Sequence, residues 1–205
     1  PRPAHAHERA HPQGNQEDRG RTRSPPRREE EVTAGGAARV RALLSDHDVT
    51  VAQSTGYQPN LVDPDPAVCA DARARLRDGL AVAHALGAVM VNTGVGSHHA
   101  TFPYGPHPAN HQPAAVDTLV KHLRVLCPEA ADHGLLLSLE PHVLTTVGDP
   151  DTIAAIVDAV GHPALRINFD PVNLLGTLPA VYGSGAAIRA IHARIGHVLA
   201  PSAHV

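Results

Sequence analysis

Residues 135–143 read "LLLSLEPHV". The run is apolar at almost every position, the pattern of a strand covered on both faces rather than one turned half to water. It then delivers Glu140, followed by Pro141, which has no N–H to offer a neighbouring strand and so ends the pairing. A carboxylate at the lip of an apolar core is costly unless it is paired or holds a cation. The stretch therefore predicts a buried parallel strand with a chemical group at its C-terminal end.

The flanking sequence repeats that design. Helices are predicted over 65–87, 114–134 (with a kink before Pro128), 149–161 and 183–196, after a shorter one in "AARVRALLSDHD". Asp-Pro opens two of them and Gly closes them, which are the expected start and stop residues. Between them lie the strand candidates "VTVAQS" (49–54), "AVMVNTG" (88–94), "ALRINFD" (164–170) and "HVLA" (197–200). Strands joined always by helical crossovers form a parallel sheet. The expected fold is α/β of the (β/α)8 TIM-barrel type, incomplete, with five to six βα units, since a full barrel takes about 250 residues. The chain has 205 residues and stops at "PSAHV", where the next helix should begin. No G-x-G-x-x-G follows a strand, so nothing supports dinucleotide binding, and "GVGS" (94–97) reads as a plain turn.

Composition narrows the function classes. Residues 1–32 are rich in Pro, Arg, Glu and Gln with almost no large apolar side chain. They are expected to be a disordered low-complexity tail before a partial barrel over 33–205. A net charge of −3 gives no cationic field for nucleic acid or an anionic membrane. No apolar run approaches the roughly 20 residues of a membrane span. Cys69 and Cys127 fit no metal-knuckle spacing, and a cytoplasmic protein with free thiols is expected. An open barrel would leave two sheet edges unpaired, so association between copies or poor solubility is expected.

Barrel enzymes work at the C-terminal ends of their strands. There the sequence presents "STGYQPNL", "VNTGVGSHH", "SLEPH" and "INFDPVN". Neighbouring strands lie roughly 5 Å apart, so Glu140 and Asp170 could face one ion. Oxygen ligands suit Mg2+ or Mn2+, and added imidazole would admit Zn2+ or Co2+. The competing reading is that each carboxylate caps the turn that follows it. His142, two residues beyond Glu140, would share its side if the backbone stays extended.

Taken in order, "GYQPNL", "LGAVMVNTG", "GLLLSLEPH", "LRINFDPVNLL" and "IGHV" resemble the xylose isomerase-like barrels, a superfamily of sugar phosphate isomerases and epimerases. The resemblance covers about residues 38–200. It implies that Glu140 is both a divalent-metal ligand and an acid/base carboxylate, and that Asp170 is a second ligand. The implied chemistry is proton abstraction next to the carbonyl of a small sugar or polyol substrate, which His142, Asn173 and Tyr57 would help to bind. Departures from the pattern fall at Asn173, where many members carry histidine, and at "HVLAPS", where Leu199 occupies a ligand position and Pro201 and Ser202 replace a Lys-Asp pair. The main alternative is a truncated, inactive barrel fragment. A family-2 apurinic endonuclease is disfavoured, because Ser54 and Asn92 stand where that family has histidines.

Overall fold

The computed structural model describes residues 34–57 and 59–203; the predicted tail lies outside them. Five strands form one parallel sheet in sequential order: β1 (Gln53–Tyr57), β2 (Met90–Thr93), β3 (Leu136–Leu139), β4 (Leu165–Phe169) and β5 (Leu199–Ala203). Helix α1 (Ala34–Ser45) precedes the sheet. The crossovers are α2 (Pro66–Leu86), α3 (Pro113–Asp132), α4 (Pro150–Val160) and, before β5, α5 (Leu178–Tyr182) and α6 (Ser184–Ile195). This is the alternating architecture of a (β/α)8 barrel with five of its eight strands among the described residues.

The long helices begin and end for the reasons the sequence suggested. The Asp65 carboxylate accepts from Ala67 N at 2.8 Å, and Asp149 accepts from both Asp151 N and Thr152 N. Pro66, Pro113 and Pro150 occupy first-turn positions where a missing N–H costs nothing. Gly87 and Gly161 close α2 and α4 at φ 73° and 63°, left-handed conformations that glycine adopts without penalty. Helix α3 runs unbroken through Pro128.

The strands depart more. The β-branched run at 49–51 lies before β1, which instead uses the polar stretch "QSTGY"; pairing with β2 overrides propensity there. Pairing of β5 starts only at Leu199, because Gly196–Val198 form a 3-10 turn. Helix α5 had no periodic signal to announce it.

Register assigns each residue a face. Val91, Leu137 and Leu165 are aligned across β2, β3 and β4, as are Leu139 and Ile167 one step on. These side chains pack against Leu76 and Leu80 of α2, Leu119, Leu123 and Leu126 of α3, and Ile153 and Ile156 of α4, all essentially without exposure. Each such side chain contributes about 1.5–3 kcal/mol. The alternate positions, Asn92, Ser138, Glu140 and Asn168, lie on the opposite, inner face. Cys69 and Cys127 are free and buried, and burial pushes the Cys127 thiol up to about 12. Among the described residues no helix is long and apolar enough to cross a membrane.

Candidate functional site at the strand ends

Glu140 follows β3 directly, its backbone N–H donating to Thr93 O of β2 at 3.0 Å. That bond holds its Cα in the sheet while the side chain continues the inner face begun by Ser138. Three amides converge on the carboxylate. Asn92 Nδ2 donates to Oε2 at 2.7 Å, Asn173 Nδ2 to Oε1 at 3.3 Å, and Asn168 Nδ2 approaches Oε2 at 3.5 Å. Asn92 and Asn168 come from the two strands flanking β3, and Asn173 from the 3-10 turn after β4. Hydrogen bonds to an ionised acceptor are roughly twice as strong as neutral ones. The half-buried Glu140 thus accepts hydrogen bonds from side chains on both flanks. Asn92 is 1% exposed, and its Oδ1 has no hydrogen-bond partner among the described residues.

Two further groups stand beside this carboxylate. The His142 ring accepts at Nδ1 from Leu144 N (3.2 Å), which can only donate, so in the neutral ring Nε2 carries the hydrogen. Tyr104 meets that ring edge-on, with centroids 6.0 Å apart. Burial, then the nearby Glu140 charge, pushes the Tyr104 phenol above its usual pKa, so it stays protonated and can donate. Its hydroxyl sits where a Cβ on Gly94 would be, which explains glycine at the end of β2. Asn110 pins the two loops together. It donates to Leu144 O (2.7 Å) and to Ser97 Oγ (2.9 Å), and it accepts from His98 N (2.8 Å).

Of the predicted site residues, Glu140 and Asn173 are in contact and His142 lies on the adjoining loop. Asp170 follows β4, and its Oδ1 accepts from Val172 N at 3.2 Å, capping the next turn. Tyr57 is elsewhere. It pairs with Thr93 on the helix side of the sheet, its ring lies against Gly79 of α2, and its hydroxyl donates to Gly79 O at 3.4 Å. Asn60 stitches two loops, accepting from Ser97 N (3.1 Å) and donating to Ser97 O (2.7 Å). His197 is exposed in the 3-10 turn before β5. Leu199 pairs with Ile167 and packs on the core, so no ligand replaces the one that the resemblance led us to expect. Tyr104 was missed because a loop carries no periodic signal; the only clue was the unexplained Gly94.

The donor set does not fit a divalent cation. Mg2+ or Mn2+ takes about six oxygens, and Zn2+ about four ligands. Among the described residues no three His, Cys, Asp or Glu side chains group in a way that could hold a metal ion. The carboxylate best placed to ligate already faces amide hydrogens.

The sequence matches the xylose isomerase-like TIM barrel family over residues 12–203. Solved structures share the fold. A xylose isomerase-like TIM barrel protein from Mycobacterium smegmatis in complex with magnesium is 24% identical, with TM-score 0.55, over 72% of this chain and 51% of that one. The 3-keto-D-glucoside 4-epimerase of E. coli is 14% identical, with TM-score 0.62, over 80% of this chain and 64% of its own. D-Psicose 3-epimerase with D-tagatose, from Clostridium cellulolyticum H10, is 17% identical, with TM-score 0.57, over 79% and 56%. This chain therefore spans about half to three fifths of the length of these structures. No curated protein sequence matches it. With residues 12–203 matched and five parallel strands in barrel order, the chain belongs to the xylose isomerase-like TIM barrel family.

Proposed function

We propose that Glu140 is the base in a proton transfer next to the carbonyl of a sugar or related polyol. The observation that carries this reading is one carboxylate at the end of a central strand, accepting hydrogen bonds from amides at both neighbouring strand ends. Near it are the Tyr104 phenol, which feels the Glu140 charge, and the His142 ring that Tyr104 meets edge-on. In the step, Glu140 takes the proton from the carbon next to the carbonyl. The electron pair moves onto the carbonyl oxygen, and the hydrogens on His142 Nε2 and the Tyr104 hydroxyl would receive the developing charge. Return of that proton to the former carbonyl carbon, while the neighbouring hydroxyl gives up its own proton to the former carbonyl oxygen, exchanges the positions of carbonyl and hydroxyl, an isomerisation that one carbon base can complete. The unpartnered Asn92 Oδ1 would accept from a substrate hydroxyl. Two epimerases of sugar-like substrates among the structural relatives support this substrate class.

The relative that contains magnesium makes a divalent ion the expected electrophile, and Glu140 and Asp170 are the residues that would hold one here. Their surroundings do not fit it, and no step above depends on it.

The test is solvent deuterium exchange. The chain is incubated in D2O with ketoses, inososes and hydroxypyruvate-like acids, and loss of the proton beside the carbonyl is followed by NMR. Exchange with at least one class, lowered about 10²–10⁴-fold by Glu140→Gln, is expected. Exchange at the same rate in the variant, or none with any class, rejects the reading.

A further inference from the structure

A groove of about 660 Å3 lies between α2 and α3, on the helix side of the sheet, and it contains none of the residues around Glu140. Arg73 of α2 and Lys121 and His122 of α3 line it, with the Thr118 hydroxyl one turn earlier. Arg73 Nη1 lies 2.8 Å from His122 Nδ1. Because guanidinium only donates, Nδ1 must accept, and the imidazole hydrogen is on Nε2, which has no partner among the described residues. Lys121 makes no ion pair among the described residues, not even with Asp117 on the preceding turn. Arg77, also lining the groove, is neutralised by a two-pronged pair with Glu129 at 2.7 and 2.8 Å. The opposing charge is Asp63. Its two oxygens are already engaged, by Asp65 N and by Asn60 Nδ2, both at 2.8 Å. The Thr118 hydroxyl donates to Ala114 O at 2.8 Å and Arg73 Nη1 to His122, so the groove keeps a positive excess with the Lys121 ammonium and the His122 Nε2 hydrogen uncommitted among the described residues.

We propose that this groove binds a phosphoryl group, free or esterified to a small molecule, through Arg73, Lys121 and His122. Two full cations and an imidazole N–H on facing helices exceed what one carboxylate can use, whereas a phosphate offers three or more acceptor oxygens to donors from different directions. The site is separate from the strand ends, so it would act as an anchor or effector site and does not rest on the reading of Glu140. Burial, then the charges of Arg73 and Lys121, holds His122 below the usual imidazole pKa. A bound anion raises it. Asp63, the Arg77–Glu129 pair and His98 also line or border the groove, but they are present with and without the anion.

The experiment is a titration of the whole chain with inorganic phosphate and, separately, with glycerol 3-phosphate, followed by the imidazole 15N signals. The expected result is a saturable shift of the His122 signals, with an upward move of its titration midpoint. Lys121→Gln should weaken binding about tenfold, as expected for loss of one charge-assisted contact. Lys121 is exposed and makes no ion pair among the described residues, so this variant should keep the fold. Arg73→Gln should weaken binding at least as much. Tighter binding of the ester identifies an esterified ligand, the reverse order free phosphate, and either supports the site. Phosphate that leaves the His122 signals unmoved, or that binds Lys121→Gln as it binds the parent chain, overturns it.

Discussion

At the end of β3, Glu140 receives amide hydrogens from Asn92, Asn168 and Asn173, residues 28 to 48 positions away in sequence. At the end of β4, Asp170 receives one backbone hydrogen from Val172, two residues further along its own chain. The two carboxylates close adjacent strands and look equivalent in the sequence. Their partners separate them. Long-range donors from both flanking strands hold Glu140 in place relative to the sheet, whereas a local turn would hold Asp170 in almost any fold. A group fixed by several distant elements is one whose position matters, and a group fixed by its own turn is a cap.

The sharpest way to break this comparison is to remove each charge in turn. Glu140→Gln should lower deuterium exchange by about 10²–10⁴-fold. Asp170→Asn keeps an oxygen that can accept from Val172 N, so it should change stability by less than about 0.5 kcal/mol and leave exchange within a few-fold. Equal losses in the two variants would mean that the carboxylates act together on a cation, as the sequence alone suggested. Calorimetry with Mn2+ gives the independent check: no saturable binding is expected, and binding that both substitutions abolish would put the two carboxylates on one cation.

Why the distinction was not visible beforehand is a matter of register. The apolar run of "LLLSLE" and the helix stops at Gly87 and Gly161 are local signals, and they placed the central strands and helices within a few residues. Which face a residue takes depends on pairing with another strand. Tyr57 was expected beside the substrate, but alignment with Thr93 turns it toward α2. Leu199 falls in line with Ile167 for the same reason. Asn92 stood at a strand end in the sequence reading, yet its 2.7 Å contact with Glu140 requires β2 and β3 to be in the register that pairs it with Ser138. The edge strands, with register shifts at β1 and β5, were placed least well because propensity there yields to the neighbouring strand.

Asn92→Asp tests the amide cradle with an intermediate effect. It exchanges the donor 2.7 Å from Glu140 for a second carboxylate. Two like charges about 4 Å apart repel by about 4 kcal/mol at an effective dielectric of 20, so a stability loss of about 2–4 kcal/mol at pH 7 is expected by urea unfolding. Millimolar Mn2+ should restore part of it, since the variant supplies the ligand that the parent chain lacks. An unchanged midpoint would show that Glu140 does not depend on the amide. Smaller again is Tyr104→Phe. It should slow exchange about tenfold by removing one donor to the developing oxyanion, with little change in stability, because the hydroxyl has no hydrogen-bond partner among the described residues.

The mildest test returns to capping, at a third carboxylate that shows what a strong cap looks like. Asp149 accepts from Asp151 N (3.0 Å), Thr152 N (2.9 Å) and the Thr152 hydroxyl (2.6 Å). Burial alone would raise its pKa, but the Thr152 and Asp151 donors outweigh that and hold it below the usual carboxylate value. A folded-state pKa below the unfolded one means that the stabilisation is complete above the ordinary Asp pKa, about 3.9. It is lost as the pH falls from there through the lowered folded value. Asp149→Ala should therefore cost about 1 kcal/mol at pH 7 and much less below pH 3. Asp149→Asn keeps an accepting oxygen and should flatten that acid-side dependence while retaining most of the stability. The same pair of substitutions at Asp170, with its single 3.2 Å bond, should give a smaller loss at pH 7. A loss at Asp170 as large as that at Asp149 would assign it a partner beyond its own turn, and the contrast between the two strand ends would fail.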